Sequence, residues 1–163
     1  MDDGLASYAV PVAVASVAAA FDLRWRRIPN WLTFGALAVG LSVQGVRSGP
    51  GGVAVALAGA ALGLLVLWPL YLIRAMGAGD LKLLSALGAL LGPVSLVSVA
   101  VYAALTGGLI SIVVLAQRRQ LRRSLVDMVT NPLGMRRCGA KAPYGVAIAS
   151  GVYLSMLLPG VIG

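Results

Sequence analysis

The sequence predicts an all-α membrane protein, and three features of its 163 residues support this prediction. Hydrophobic residues make up 60% of the chain and charged residues only 11%, whereas a soluble domain carries about 25% charged residues. The apolar runs are long and continuous, without the alternation that marks a transmembrane β-barrel. Basic residues collect in short connections between these runs. Together these features favour a polytopic bundle of membrane-spanning helices.

Six apolar segments are predicted to cross the membrane. They cover residues 5–21, 31–46, 53–73, 81–91, 94–116 and 143–161. The fourth is short, because a helix of about eleven residues rises only about 16 Å. We therefore expect it to begin near Gly77 or to be sheltered inside the bundle. The first segment is interpreted as a retained helix, since its basic residues follow it and do not precede it as in a signal peptide.

Basic residues indicate the orientation of this bundle. With the N-terminus outside, connections 22–30, 74–82 and 117–142 face the cytoplasm and hold every Lys and Arg except Arg47. This distribution agrees with the excess of basic residues in cytoplasmic loops. It also explains the net charge of +8 without nucleic acid as a partner. We therefore predict one membrane-embedded domain, residues 1–163, with both termini outside.

Turn residues and small residues indicate the finer boundaries. Asn30, which follows Pro29, is the expected N-cap of the second helix. Residues 47–52 are rich in Gly and Pro and predict a tight turn. Gly59 and Gly63 have the spacing that allows two membrane helices to pack closely.

The set of reactive side chains is narrow. The chain has no histidine, which excludes a Ser-His-Asp triad, a Cys-His pair and His-based metal sites. Its single cysteine, Cys138, excludes an intrachain disulfide and a Cys-ligated zinc site, and we interpret it as an incidental loop thiol. Carboxylates, hydroxyls, lysines and the backbone remain, and we expect no metal and no other cofactor.

Two of the five acidic residues adjoin apolar segments, where a carboxylate is expensive and indicates function. Asp22 follows the first segment, and Asp80 ends the stretch Gly-Ala-Gly-Asp before the fourth. The predicted topology brings both to the cytoplasmic side. Each also has an ordinary explanation: Asp22 as a helix-end charge paired with Arg24 or Arg26, and Asp80 as a helix cap. Asp127, which sits among arginines, is interpreted as a surface charge.

A close pair of carboxylates tends to hold one proton between its members, which is the arrangement of aspartic proteases. The ionised member takes a proton from water, while the protonated member polarises the peptide carbonyl and later protonates the leaving amine. Asp22 and Asp80 therefore predict a protease site at the membrane edge. A polytopic transporter is the main alternative, although its site is expected near the middle of the bilayer.

Three stretches resemble the motifs of one protease family. Residues 77–84, Gly-Ala-Gly-Asp-Leu-Lys-Leu-Leu, with Ala-Leu-Gly at 86–88, resemble the Gly-x-Gly-Asp motif of bacterial type IV prepilin leader peptidases and archaeal preflagellin peptidases. Asp-Leu-Arg at 22–24 and Ile-Pro-Asn at 28–30 resemble the first-aspartate motif of the short branch, which processes Flp-type pilins for tight-adherence pili. Residues 142–149 are similar to the Pro-(Tyr/Phe)-Gly element that opens the family's last helix.

The resemblance implies a six-helix, multi-pass aspartic protease of the bacterial inner membrane, with Asp22 and Asp80 as its catalytic pair. The implied substrates are prepilins and pseudopilins, cut after the glycine that ends a short, basic, cytoplasmic leader. The lipid bilayer and the pilus-assembly machinery are the other implied partners, and a scaffold in that machinery is the non-enzymatic alternative. Larger relatives carry a cysteine-rich zinc region and also N-methylate the new terminus. This chain has only Cys138, so no such zinc domain is predicted and methylation stays open.

Six further residues are predicted to support the site: Gly77, Gly79, Lys82, Pro143, Tyr144 and Gly145. The first two glycines are expected to let backbone approach the substrate, and Lys82 to influence the charge of Asp80. The Pro-Tyr-Gly element is expected to line the site, with the Tyr144 hydroxyl as a hydrogen-bond donor. A plain helix start with an interfacial aromatic residue is the alternative explanation of that element. The arginines of the connections are assigned to topology and to anionic lipid.

Overall fold

The computed structural model describes residues 2–73, 76–117 and 144–158, and within these ranges it contains no β-strand. Four helices follow one another: α1 (Asp2–Trp25), α2 (Asn30–Leu72), α3 (Ala78–Gln117) and α4 (Tyr144–Leu157). By length and composition α1, α2 and α3 could each cross a membrane, while α4 is a shorter apolar helix. The predicted all-α class is confirmed.

Helix α2 is broken into two arms at Ser48 and Gly49, whose backbone leaves helical geometry. Gly49 has a φ of 60°, which a residue without a Cβ adopts easily. The arms fold back on each other, because a Cβ built on Gly45 would lie 3.1 Å from Cγ2 of Val53. In a straight helix, residues about eight positions apart are separated by about 12 Å along the axis. The break is shorter than the predicted 47–52 turn.

Helix α3 reverses in the same way at Gly92, which has a φ of 80° and a ψ of 171°. Pro93 follows it, and the missing N–H of proline makes this a natural place for a helix to end. The side chain of Leu96 reaches back to 2.8 Å from the position that a Cβ on Gly88 would take. The described ranges therefore hold six helical arms, which lie where the six segments were predicted. Six membrane crossings with both termini outside remain a prediction.

Two predicted helix boundaries are wrong. Helix α1 continues to Trp25, so Asp22 lies in its final turn and not in the connection that follows. Helix α2 begins at Asn30 itself, after an extended Pro29, and no side chain caps it. Pro29 occupies the N-cap position, and Oδ1 of Asn30 accepts a hydrogen bond from Nζ of Lys82, at 3.0 Å.

The first arm of α3 is the buried centre of the bundle. Leu81 and all of residues 83–89 are buried. The arm begins at Ala78, so the fourth predicted segment both starts near Gly77 and is sheltered, as expected. A helix too short to span a bilayer is tolerated at this place because protein surrounds it.

Both arms of α2 contact this buried arm of α3 through glycines. A Cβ on Gly59 would overlap the carbonyl group of Gly88, and a Cβ on Gly63 would lie 2.6 Å from the carbonyl oxygen of Leu84. Gly40, in the other arm of α2, meets the α3 backbone comparably closely. The close packing predicted from the spacing of Gly59 and Gly63 is confirmed.

Helices α1 and α4 pack against each other and against α3. The buried residues of this core are Ala15, Ala18, Leu83, Leu84, Leu87, Leu96, Val99, Ile148, Ala149 and Val152. Ser150 of α4 also donates a hydrogen bond to the Thr106 hydroxyl of α3, at 2.9 Å. This packing brings the start of α4 to the final turn of α1.

Some predictions fall on residues that the structure does not describe. These are Arg74, Pro143 and most of the basic 117–142 connection, with Asp127 and Cys138. The single-domain organisation and the lack of a cysteine-rich zinc domain also remain predictions.

Candidate active site

Asp22 is a buried carboxylate in the final turn of α1, with 9% of its surface exposed. Its Oδ2 accepts a hydrogen bond from the backbone N–H of Gly145, at 2.8 Å. The two residues are 123 positions apart, so the packing of α1 on α4 creates this contact. Arg24, considered above as an ion-pair partner for Asp22, lies instead over the ring of Trp25, 5.4 Å from its centroid.

Asp80 lies in the first turn of α3 and is half-buried. Its Oδ2 accepts a hydrogen bond from the backbone N–H of Gly77, at the longer distance of 3.3 Å. Gly77 directly precedes the helix, so this bond satisfies an N–H group that a helix start leaves open, as in one half of a capping box. Asp80 therefore caps the start of α3 through this bond, as the ordinary explanation of this residue predicted.

Both aspartates line one cavity of about 260 Å³. Its walls are formed by Asp22, Arg26, Arg27, Ile28, Gly77, Ala78, Gly79 and Asp80. The end of α1 and the start of α3 meet here, and the start of α4 reaches the same place through its contact with Asp22. Two aspartates that are distant in sequence thus line the same space.

Two arginines form part of the cavity wall, directly after α1. Arg26 has a φ of 52°, which is uncommon for a residue with a side chain, and its N–H donates to the carbonyl oxygen of Asp22 at 2.9 Å. Arg27 is exposed next to it. The assignment of both arginines to topology and lipid missed this position. Their place in sequence, one turn after a candidate catalytic aspartate, was the signal that could have indicated it.

Residues 9–112, more than half of the chain, match the model of the type IV leader peptidase family. The chain belongs to the type IV leader peptidase family. The resemblance seen in the sequence motifs is therefore confirmed, and both cavity aspartates lie in the matched range. Membership makes the chain a peptidase, and its long apolar helices indicate a membrane protein. Comparisons with curated proteins and with solved structures gave no match.

In this member of the family the two glycines before Asp80 have different surroundings, although both line the cavity. A Cβ on Gly79 would lie 3.2 Å from Cβ of Ile28, so Gly79 lets the start of α3 pack against the connection after α1. Gly77 supplies the N–H that Asp80 accepts. Their contact with substrate backbone remains a prediction.

Lys82 of the peptidase is directed towards α2. Its Nζ donates to Oδ1 of Asn30 at 3.0 Å and lies 5.3 Å from the ring centroid of Phe34. These contacts tie the second turn of α3 to the first two turns of α2. They give Lys82 a structural role in addition to its predicted influence on the charge of Asp80, which remains a prediction.

The Pro-Tyr-Gly element contributes to the site through its glycine. Gly145 contacts Asp22, whereas the Tyr144 ring lies beside Gly107 of α3, with Cε1 3.7 Å from the position of a Cβ there. Tyr144 is not among the residues that line the cavity. Within the described ranges, no group of three or more His, Cys, Asp or Glu side chains is placed to hold a metal ion.

Proposed function

We propose that this member of the type IV leader peptidase family is an aspartic endopeptidase of the bacterial inner membrane that removes the short basic leader of Flp-type prepilins and pseudopilins. Asp22 and Asp80 are its catalytic pair. The observation that carries this proposal is the single cavity lined by both aspartates, which come from the end of one helix and the start of another. The pilus-assembly machinery is the partner into which the processed pilins would pass.

In the proposed mechanism, Asp22 and Asp80 hold one proton between them when water and the scissile peptide occupy the cavity. The ionised aspartate takes a proton from the water, whose oxygen attacks the peptide carbonyl. The protonated aspartate donates a hydrogen bond to that carbonyl oxygen and then protonates the leaving amine. This chemistry needs neither histidine nor cysteine, in agreement with a chain that has no histidine.

The surroundings of the cavity suit a scissile bond beside a hydrophobic segment. Trp25 and Trp31 are 58% and 66% exposed near the cavity end of α1 and α2, and indole side chains concentrate at the membrane interface. Arg26 and Arg27 lie in the cavity wall, and basic residues are concentrated on the cytoplasmic side of membrane proteins, which supports a cavity on that side. The substrate's apolar helix would stay in the bilayer while its leader extends into the cytoplasm past the aspartates.

A cleavage assay tests this function. The protein is purified in detergent and mixed with a Flp-like prepilin, and the masses of the products are measured by mass spectrometry. We expect a cut after the glycine that ends the leader. Asp22→Asn and Asp80→Asn should each lower the rate by at least about 10³-fold, because an amide cannot take up or release the transferred proton. Asp127→Asn, the same change at a predicted surface charge, is the matched control and should cleave normally.

The other outcomes point to different functions. Full cleavage by a folded Asp22→Asn or Asp80→Asn variant would remove that aspartate from the catalytic pair. A folded wild type that cuts no prepilin would favour a transporter or a scaffold of the pilus-assembly complex. A cut inside the apolar helix would indicate intramembrane proteolysis, and a product heavier by one methyl group would indicate N-methylation.

A further inference from the structure

We propose that Gly145 is a positioning residue for Asp22. Its N–H fixes one carboxylate oxygen, and its missing side chain leaves the space that the carboxylate occupies. The inference rests on the proposed function, in which Asp22 is one member of the catalytic pair. It assigns the start of α4, which contributes no residue to the cavity lining, to the catalytic apparatus.

The hydrogen bond between Gly145 and Asp22 is short and buried, with 2.8 Å between N and Oδ2. Gly145 is the second residue of α4, so its N–H is one of the first four that have no acceptor inside the helix. Such an N–H is free to bind a carboxylate, and the positive end of the helix dipole adds to the attraction. The distance lies in the usual range of about 2.7–3.2 Å for an N–H···O hydrogen bond.

The steric evidence singles out Asp22 as the group that a side chain at position 145 would displace. A Cβ on Gly145 would lie 2.8 Å from Cβ, 2.9 Å from Oδ2 and 3.2 Å from Cγ of Asp22. The three nearest atoms all belong to this one side chain. An alanine at position 145 would therefore press on the Asp22 side chain, at its Cβ and at Oδ2.

Fixing Oδ2 has a consequence for catalysis. With one oxygen held by Gly145, Oδ1 is the oxygen left to exchange a proton with water or substrate. Active sites need such groups held within about 0.5 Å of the productive geometry. A displacement of about 1 Å can lower the rate about 10²-fold. The absence of a side chain at position 145 therefore bears directly on the rate.

Two glycines of α4 provide a matched kinetic test. A Cβ on Gly151 is crowded as severely as one on Gly145, but by the carbonyl oxygen of Val99 at 2.7 Å and the backbone nitrogen of Ala103 at 2.8 Å. We expect Gly145→Ala to lower kcat on a Flp-like prepilin about 10²-fold with KM nearly unchanged. We expect Gly151→Ala to lower the unfolding temperature and to retain kcat per folded molecule.

Nuclear magnetic resonance tests the hydrogen bond from Gly145 to Asp22 independently of any cleavage activity. Tyr144-Gly145 is the only Tyr-Gly pair in the chain and Met76-Gly77 is the only Met-Gly pair. Labelling with carbonyl-13C tyrosine or methionine together with 15N-glycine therefore gives one amide resonance for each position. Asp22→Ala should shift the Gly145 amide and leave that of Gly77, and Asp80→Ala should do the reverse.

Each outcome decides the proposal. A Gly145 amide that does not respond to Asp22→Ala, or a folded Gly145→Ala enzyme with unchanged kcat, overturns it. If Gly145→Ala does not fold, the crossed amide shifts in the two aspartate variants decide alone. If wild type cuts no prepilin, the proposed function fails, while the Gly145 resonance still reports whether this residue holds Asp22.

Discussion

The two aspartates that line the cavity differ in burial and in the origin of the backbone N–H that each carboxylate accepts. Asp22 is buried at the end of a helix, and its carboxylate is fixed by Gly145, from a helix 123 positions later. Asp80 is half-buried at the start of a helix, and its carboxylate accepts a longer bond from Gly77, three positions earlier. The bond from Gly145 to Asp22 depends on tertiary packing, whereas the bond from Gly77 to Asp80 forms within the local geometry of a helix start.

This difference predicts different tolerance to substitution at the two positions. The bond that holds Asp22 crosses from α1 to α4, so it depends on the packing of those two helices. Asp80 lies at the half-buried start of α3, ahead of residues 83–89, which are packed in the core. We therefore expect a change of side-chain length to be tolerated less well at Asp22 than at Asp80.

Lengthening each carboxylate by one methylene gives the largest expected contrast. Asp22→Glu must place an extra carbon in a space where Oδ2 is already 2.8 Å from the Gly145 nitrogen. We expect kcat/KM to fall about 10²-fold, as for a catalytic group displaced by about 1 Å. Asp80→Glu, at a half-buried helix start, should lose only about tenfold, since each tenfold is about 1.4 kcal/mol of transition-state stabilisation.

Steady-state kinetics on one prepilin measures both variants, with the folded fraction of each checked by size-exclusion chromatography. Equal losses would mean that Asp80 is held as firmly as Asp22. A larger loss at Asp80 would reverse the comparison and make Asp22 the more tolerant position.

The core packing of residues 83–89, which follow Asp80 in α3, depends on close glycine contacts with α2. Gly59→Ala should disrupt one of these contacts. The new Cβ would overlap the carbonyl group of Gly88, so α2 and α3 must separate. Overpacking of this kind costs about 1–3 kcal/mol of unfolding free energy. Gly35→Ala is the matched control in the same helix, because no atom lies within 4 Å of its Cβ position. Thermal unfolding in detergent compares them, and equal midpoints would show that the contact at Gly59 relaxes without loss.

Much of this arrangement could be predicted from the sequence, because hydrophobicity and charge act locally. Apolar runs indicated where each helical arm lies, and glycine spacing indicated the close contact of α2 with α3. Two carboxylates beside apolar runs indicated the candidate site, since a charge there needs a reason. The family motifs around Asp22 and Asp80 pointed the same way, and the match over residues 9–112 agrees with them.

The rest depended on packing between distant segments. The Gly145 contact exists only because α4 packs on α1, and no local pattern encodes which N–H reaches Asp22. The extension of α1 through Asp22 was missed because the polar and basic residues after position 21 resemble a connection. Asn30 was interpreted as a helix cap from its residue type, whereas a lysine of α3 takes its side-chain oxygen.

The smallest predicted effect concerns that lysine, and it separates two roles for Lys82. If Lys82 only ties α3 to α2, a double-mutant cycle of Lys82→Met and Asn30→Ala should show a coupling of about 0.5–1.5 kcal/mol in unfolding free energy, as for a single hydrogen bond. Cleavage should then fall only slightly in either variant. If Lys82 acts on the charge of Asp80, Lys82→Met should impair cleavage far more than Asn30→Ala. That result would show that the charge of Lys82 acts on Asp80, in addition to the hydrogen bond that Asp80 accepts from Gly77.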